Sequence, residues 1–232
     1  EREREREREQ YSSARPGGWS DRAAVTARYK IFKILQKNIP INNIQSVLDI
    51  GVTAEKQSHA NNFFEKWYPY PERITALSDQ DAAWMEEKYK GLTFVRGDGR
   101  QLPFSDRSFE LVFSSAVWEH TGSFENQAHF LTEALRVSSK YVFLTTPNRY
   151  YPIEFHTRLP FLHWFPKSLY RVFLKKCGYS FFAEEKNLNL LSRMDIKNLC
   201  QQCIPAHEAT YSINTISFLG LPSNFLICIT RL

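Results

Sequence analysis

No stretch of this 232-residue chain approaches the ~18 consecutive apolar residues that a membrane-spanning helix requires. Its charged amino terminus does not have the pattern of a signal peptide. Only four cysteines are present, too few for a disulfide framework in a chain of this length, so the thiols are expected to be reduced and the protein cytoplasmic. Cys200-Gln201-Gln202-Cys203 has the spacing of half a zinc site, but Cys177 and Cys228 stand alone, and no metal is expected. There is no block of one charge. A net charge of +5, with basic residues scattered among acidic ones, argues against a nucleic-acid partner. No internal repeat is visible.

Aromatic residues, by contrast, are plentiful: 18 Phe, 11 Tyr and 5 Trp make up 15% of the chain. Residues 1–18 read as a charged, flexible arm that opens with unbroken Glu-Arg alternation and ends at Pro16-Gly17-Gly18. A helix capped by Ser20 or Asp21 is expected to run to about Lys37. Short apolar runs then alternate with amphipathic ones, as in βα units. Strands are expected over Ser46 to Ile50, Ile74 to Leu77, Thr93 to Arg96, Leu111 to Ser114 and Tyr141 to Thr145. Helices are expected at about Ala60 to Trp67, Ala82 to Tyr89, Phe124 to Val137 and Arg193 to Gln202. Two last runs, Ala209 to Ile213 and Phe225 to Thr230, suit an antiparallel pair, because no helical pattern links them. The fold class that results is α/β: a Rossmann-like open sheet, mostly parallel, with an antiparallel carboxyl-terminal hairpin and helices on both faces. Residues 19–232 read as one domain carrying an aromatic, lid-like insertion at about 150–182.

In such a sheet, ligands bind beyond the carboxyl ends of the strands. Asp49 ends the first strand and is followed by Gly51, where backbone and ligand can approach closely. Asp79 follows the second strand, with Asp81 in reserve, and its carboxylate suits ribose hydroxyls. Asp98, in Gly97-Asp98-Gly99, follows the third and can accept an amine proton. Any one of the three acids could instead be a solvated turn residue.

These residues carry a resemblance. LDIG at Leu48 to Gly51, GDGRQLPFSDRSFELVFSSAVWEH at Gly97 to His120 and LTEALRV at Leu131 to Val137 resemble the class I S-adenosylmethionine-dependent methyltransferases, in particular the type 11-like group that acts on small molecules. The resemblance implies S-adenosyl-L-methionine as cofactor. It implies that Asp49, Gly51 and Thr53 hold the methionine end, Asp79 the ribose, Asp98 and Gly99 the adenine side, and that Ser115 borders the methyl group. One departure stands out. Where the family alternates three glycines, this chain reads Gly51-Val52-Thr53-Ala54-Glu55, so the loop is expected to take another path, with Thr53 either meeting the cofactor or capping the next helix.

A base is needed if the acceptor is a hydroxyl or a protonated amine. His156 is the first choice and His120 the second; His163 also lies nearby, and all three could instead serve packing. Aromatic and basic residues alternate through Tyr150 to Phe182, which suits a lid over the substrate or an amphipathic surface on anionic lipid. The run TPNRYYPIEFHTRLPFLHW also resembles a subgroup of these enzymes found with surface-polysaccharide genes, which implies a sugar or glycolipid acceptor. The expected substrate is a small-molecule, sugar or lipid-linked acceptor, with peripheral membrane contact as one reading and the oligomeric state open. Two rival readings remain. An NAD-dependent or nucleotide-sugar oxidoreductase would lack G-x-G-x-x-G here, and a non-catalytic module would have lost the cofactor through its altered loop.

Overall fold

The computed structural model describes residues 19–56 and 58–232; the Glu-Arg arm lies outside the described residues. Seven strands form one sheet in the order β3-β2-β1-β4-β5-β7-β6. They are β1 (Val47–Ile50), β2 (Ile74–Ser78), β3 (Thr93–Arg96), β4 (Phe109–Ser115), β5 (Ser138–Pro147), β6 (Ala209–Phe218) and β7 (Leu221–Arg231). The first five pair in parallel. β7 runs antiparallel to both β5 and β6, as the missing crossover implied.

Helices cover both faces, and strand alternation explains why. Leu111 and Phe113 of β4 point to one side, where they pack with Ile31, Leu35, Phe64 and Met85 from helices α1 (Trp19–Asn38), α2 (Phe63–Trp67) and α3 (Trp84–Lys88). Val112 points to the other side, packing with Phe130, Leu131 and Leu199 from α4 (Phe124–Val137) and α6 (Arg193–Cys203). Phe113 sits between Phe64 and Phe143, with ring centroids 4.4 and 6.1 Å away.

Every expected strand and helix is present; β4 to β7 run two to five residues past the expected bounds at one or both ends, and two helix starts that differ have local causes. α1 begins at Trp19, so Asp21 lies inside its first turn rather than capping it; its carboxylate accepts from Ser58 Oγ at 2.9 Å and meets His59 Nδ1 at 3.2 Å. α2 begins three residues late because Asn62 adopts a left-handed φ of 47°. The β6–β7 link is a two-residue turn, Leu219-Gly220, with φ values of 51° and 79°. That pair of positive angles matches the twist of a tight hairpin.

The aromatic segment between β5 and α6 builds a small core of its own. Tyr170 and Leu174 from α5 (Lys167–Lys176) pack there against Phe182, Ala183, Leu188 and Leu190. The cysteine pair is structural in surroundings: Cys200 is buried, and burial raises both its thiol and that of Cys203.

Candidate active site

The chain leaves β1 toward β2 on one side, while β4 lies on the other. This reversal opens a crevice at the carboxyl ends of the strands. Gly51 starts the loop there, with φ at +92° and a position where a Cβ would lie 2.2 Å from Val117 Cγ2. Among residues 51–56 only Gly51 has a positive φ, so Thr53 and Glu55 follow a path that spares them the left-handed region. Side chains from elsewhere hold that path. Asn62 Oδ1 accepts from Thr53 N at 3.0 Å, Asn62 Nδ2 donates to Thr53 O at 2.9 Å, and Gln80 Oε1 accepts from Ala54 N at 3.1 Å. Thr53 Oγ1 accepts from Glu55 N at 3.2 Å.

The other acids are placed unequally. Asp49 is buried against Glu65, also buried. Burial raises the Asp49 carboxyl well above the usual range, and the neighbouring Glu65 charge raises it further. With both groups written as carboxylates the Glu65 oxygens have no donor; a proton kept on Asp49 supplies one. Asp79 is exposed, and Asp81 Oδ1 accepts from Ala83 N at 3.2 Å. Asp98 is chelated by Arg100, with Oδ2 2.6 Å from Nη2 and Oδ1 accepting the Arg100 amide at 2.8 Å. The hydrogen bonds from Arg100 hold Asp98 below its ordinary value. Gly99 is needed for packing: a Cβ there would meet Phe130 Cε2 at 2.7 Å and Ile50 Cγ2 at 2.8 Å.

Across the crevice, Ser115 Oγ lies 2.9 Å from Thr145 Oγ1 and accepts from Arg28 Nη1 at 2.8 Å. Arg28 reaches in from α1, its guanidinium 5.4 Å from the Phe63 ring. Burial lowers its pKa, but an arginine stays protonated. A single half-buried guanidinium here suits a carboxylate.

Beyond β4 the chain turns sharply at Ala116, with φ at +57°, into a short 3-10 turn, Trp118–His120. Trp118 pins the turn: it is buried and donates from Nε1 to Gln127 O at 2.8 Å. Glu119 is fully buried; its Oε2 accepts from Thr146 Oγ1 at 2.9 Å, while Oε1 has no donor. Burial raises its pKa, with the nearby His156 charge opposing.

The two candidate histidines meet. His120 Nε2 and His156 Nε2 are 3.0 Å apart, although 36 residues separate them in the chain. His120 Nδ1 donates to Asn187 O at 2.6 Å, since a carbonyl can only accept. His156 Nδ1 faces Glu154 Oε1 at 2.6 Å, and Glu154 Oε2 accepts from Thr157 N at 2.6 Å and Thr157 Oγ1 at 2.8 Å. Burial opposes the Glu154 anion, yet the His156 charge and these hydrogen bonds bring it down to about 2. Burial and the charge of His156 push His120 down to about 3. For His156, burial works against the cation, and Glu154 wins by raising it. His163 stands apart, buried with Nε2 2.6 Å from Tyr151 O.

Sequence reasoning gave no role to Glu119, Glu154, Thr146 or Arg28. The adjacency of Glu119 to His120 and the Glu154-Phe155-His156 spacing were the available signals. A cavity of about 310 Å³, lined by residues such as Asp106, Arg136, Glu208 and Arg231, lies away from the crevice and from all of these groups.

Residues 59–143 match a family model described as a methyltransferase domain. No curated protein matches the sequence. Solved structures do. A magnesium protoporphyrin IX methyltransferase from Synechocystis PCC 6803, solved with bound S-adenosylhomocysteine, aligns at a TM-score of 0.55 and 14% identity over 100% of this chain and 95% of that one. The N-methyltransferase NodS from Bradyrhizobium japonicum WM9, also with S-adenosylhomocysteine, gives 0.54 and 10% over 89% and 86%. An S-adenosylmethionine-dependent methyltransferase from Mesorhizobium loti gives 0.57 and 14% over 86% and 97%. These structures share the fold, and the family match runs from just before α2 into β5, leaving out β1 and the Gly51 loop. The chain therefore has the fold of S-adenosylmethionine-dependent methyltransferases, and residues 59–143 are similar to the methyltransferase-domain family.

Proposed function

We propose that this protein transfers a methyl group from S-adenosyl-L-methionine to a hydroxyl of a small-molecule, sugar or lipid-linked acceptor. The observation that carries this reading is the convergence of Glu119, His120 and His156 at the carboxyl edge, close to Ser115: neighbouring residues of β5, Thr145 and Thr146, bond Ser115 and Glu119 respectively. A sulfonium cofactor supplies an electrophilic methyl carbon; the O–CH3 bond forms as the S–CH3 bond breaks, and the electron pair stays on sulfur.

The protein's part is to align and to accept a proton. Arg28 suits the cofactor's carboxylate, the turn after Gly51 its methionine portion, Asp79 its ribose, and Asp98 with Gly99 its adenine. Holding the acceptor oxygen in line lowers the barrier by restricting motion, worth about 7–11 kcal/mol in the best intramolecular cases. The acceptor's proton passes to the His120–His156 pair, with Glu154 orienting the outer ring; His156 is the first base when neutral, and since Glu154 favours its cation this route calls for a pH above the ordinary histidine range. An acceptor group that carries a hydrogen-bond donor suits the site, because a buried carboxylate oxygen, Glu119 Oε1, has none.

A lipid-linked acceptor has support of its own. Phe161, Trp164, Phe165, Leu169 and Val172 are all at least 41% exposed, next to Lys175 and Lys176, an apolar and basic surface of the kind that rests on anionic lipid. Calorimetry with S-adenosylhomocysteine tests the cofactor half of the proposal, and NAD in parallel tests the oxidoreductase rival. A panel of acceptors with labelled methyl donor tests the rest; binding of neither ligand would end the enzyme reading.

A further inference from the structure

We propose that Glu119, His120 and His156 form a binding site for one divalent first-row transition metal ion, with an open position for the acceptor's hydroxyl oxygen. The inference deepens the methyl-transfer reading and, in its catalytic role, rests on it.

Three observations carry it. First, the donor atoms converge: one atom from each residue lies within 4.8 Å of the others, with 3.0 Å between the two Nε2 atoms and 3.9 Å from Glu119 Oε1 to His120 Nε2. Donors bound at about 2.1 Å, with angles of about 90° to 110° at the metal, lie about 3.0 to 3.4 Å apart. The two Nε2 atoms already have that spacing, and Glu119 Oε1 has to move about 0.5 Å or more toward them to complete it.

Second, the outer nitrogens are already committed. His120 Nδ1 donates to Asn187 O and His156 Nδ1 to Glu154, the outer-shell pattern that fixes a metal-binding imidazole's tautomer and aims its other lone pair inward. Two such lone pairs 3.0 Å apart repel unless something positive lies between them.

Third, a proton alone does not satisfy the cluster. Shared between the Nε2 atoms, it still leaves Glu119 Oε1 buried without a partner, which is costly for a carboxylate. One cation serves all three atoms. Two imidazoles and one carboxylate suit Zn²⁺, Co²⁺ or Mn²⁺ better than the all-oxygen preference of Ca²⁺. His120 and His156 side chains remain 16% and 10% exposed, so the remaining positions are reachable from the crevice. With the cation bound, the two Nε2 atoms are ligands and not bases: a hydroxyl bound there loses its proton to water more readily, which replaces the histidine route, and the cation holds the resulting oxygen in place.

The test uses the full-length chain, cleared of metal by chelation and titrated with CoCl2 and ZnCl2. One equivalent of Co²⁺ is expected to bind, with visible d–d absorption that Zn²⁺ displaces. Glu119→Gln, which preserves shape, and His156→Asn are each expected to weaken Co²⁺ binding more than about tenfold, and Glu154→Gln by about 10- to 100-fold through His156. S-adenosylhomocysteine is titrated into the same metal-free proteins, with circular dichroism to verify folding. No saturable Co²⁺ binding, or binding unmoved by Glu119→Gln in a folded protein, overturns the metal site and leaves methyl transfer standing. Co²⁺ binding as expected without S-adenosylhomocysteine binding sustains the site and overturns the methyl-transfer reading.

Discussion

Replacing Gly51 with alanine tests how the first loop and the catalytic turn fit together. Gly51 has φ at +92°, and an added Cβ would lie 2.2 Å from Val117 Cγ2. Two costs follow, and they are separable. A left-handed conformation costs a residue with a side chain about 1–2 kcal/mol. Forcing Val117, β-branched and stiff at χ1, off its rotamer adds about 0.5–1.5 kcal/mol. Together they predict a loss of about 1.5–3.5 kcal/mol for Gly51→Ala, or a fall of roughly 3–14 °C in melting temperature for a domain of this size. Val117 precedes Trp118 and Glu119 on the same turn, so the strain is expected to reach the Glu119–His120–His156 cluster.

A double-mutant cycle with Val117→Ala isolates the second cost. Removing Cγ1 and Cγ2 relieves the contact but leaves the φ penalty, so Gly51→Ala should destabilise the Val117→Ala background by about 1 kcal/mol less than the parent. Urea unfolding followed by circular dichroism gives all four corners. If Gly51→Ala unfolds within about 0.5 kcal/mol of the parent, the loop does not hold the conformation described and the argument from Gly51 to Glu119 collapses. A full loss with no coupling would leave the φ cost and remove the Val117 contact from the account.

Three further outcomes are expected. Burial raises both carboxyls of the Asp49–Glu65 pair, so their native pKa values exceed the unfolded ones: stability is full at acid pH and declines as pH rises through the native values. Glu65→Gln should therefore raise the urea midpoint at about pH 8 while leaving it little changed at about pH 4; an equal effect at both would refute a shared proton. Asp98→Ala removes a half-exposed carboxylate from Arg100, so its effect on stability should stay below about 1 kcal/mol, whereas S-adenosylhomocysteine affinity should drop about tenfold or more; unchanged affinity in calorimetry removes Asp98 from the adenine side. Trp164→Ser with Phe165→Ser is expected to reduce flotation with anionic liposomes and to leave the melting temperature within a few degrees, since both rings are over 40% exposed; flotation equal to the parent would dismiss the lipid surface.

The sheet was legible in the sequence because its signals are local. Leu111-Val112-Phe113 must place alternate side chains on opposite faces, and both faces offered apolar helices. Ser123 and Ser192 each cap the helix that follows, accepting from Asn126 N and Asp195 N, so α4 and α6 were bounded within a residue. Where boundaries slipped, the cause was a backbone choice that composition does not encode: Asn62 in the left-handed region shortens α2, and Asp21 bonds Ser58 instead of its own helix end.

The crevice was legible in part, for the same reason. Acids at strand ends can be counted along the chain, but whether each reaches a ligand depends on what opposes it in space. Asp49 faces Glu65, sixteen positions on, and Asp98 faces Arg100, two positions on; each is an acid within two residues of a glycine at a strand end. The histidine cluster shows the limit more sharply. His120 and His156 each read as an ordinary loop histidine, and only β5 returning beside β4 with its long following loop brings their Nε2 atoms to 3.0 Å. Glu119 then becomes informative through a deficiency, a buried oxygen without a donor, which no one-dimensional pattern can contain. Since pairing of β4 with β5 is a property of the fold and Glu119, His120, Glu154 and His156 are properties of this chain, the scaffold accounts for where these four side chains meet, and the acceptor chemistry proposed for them rests on the side chains themselves.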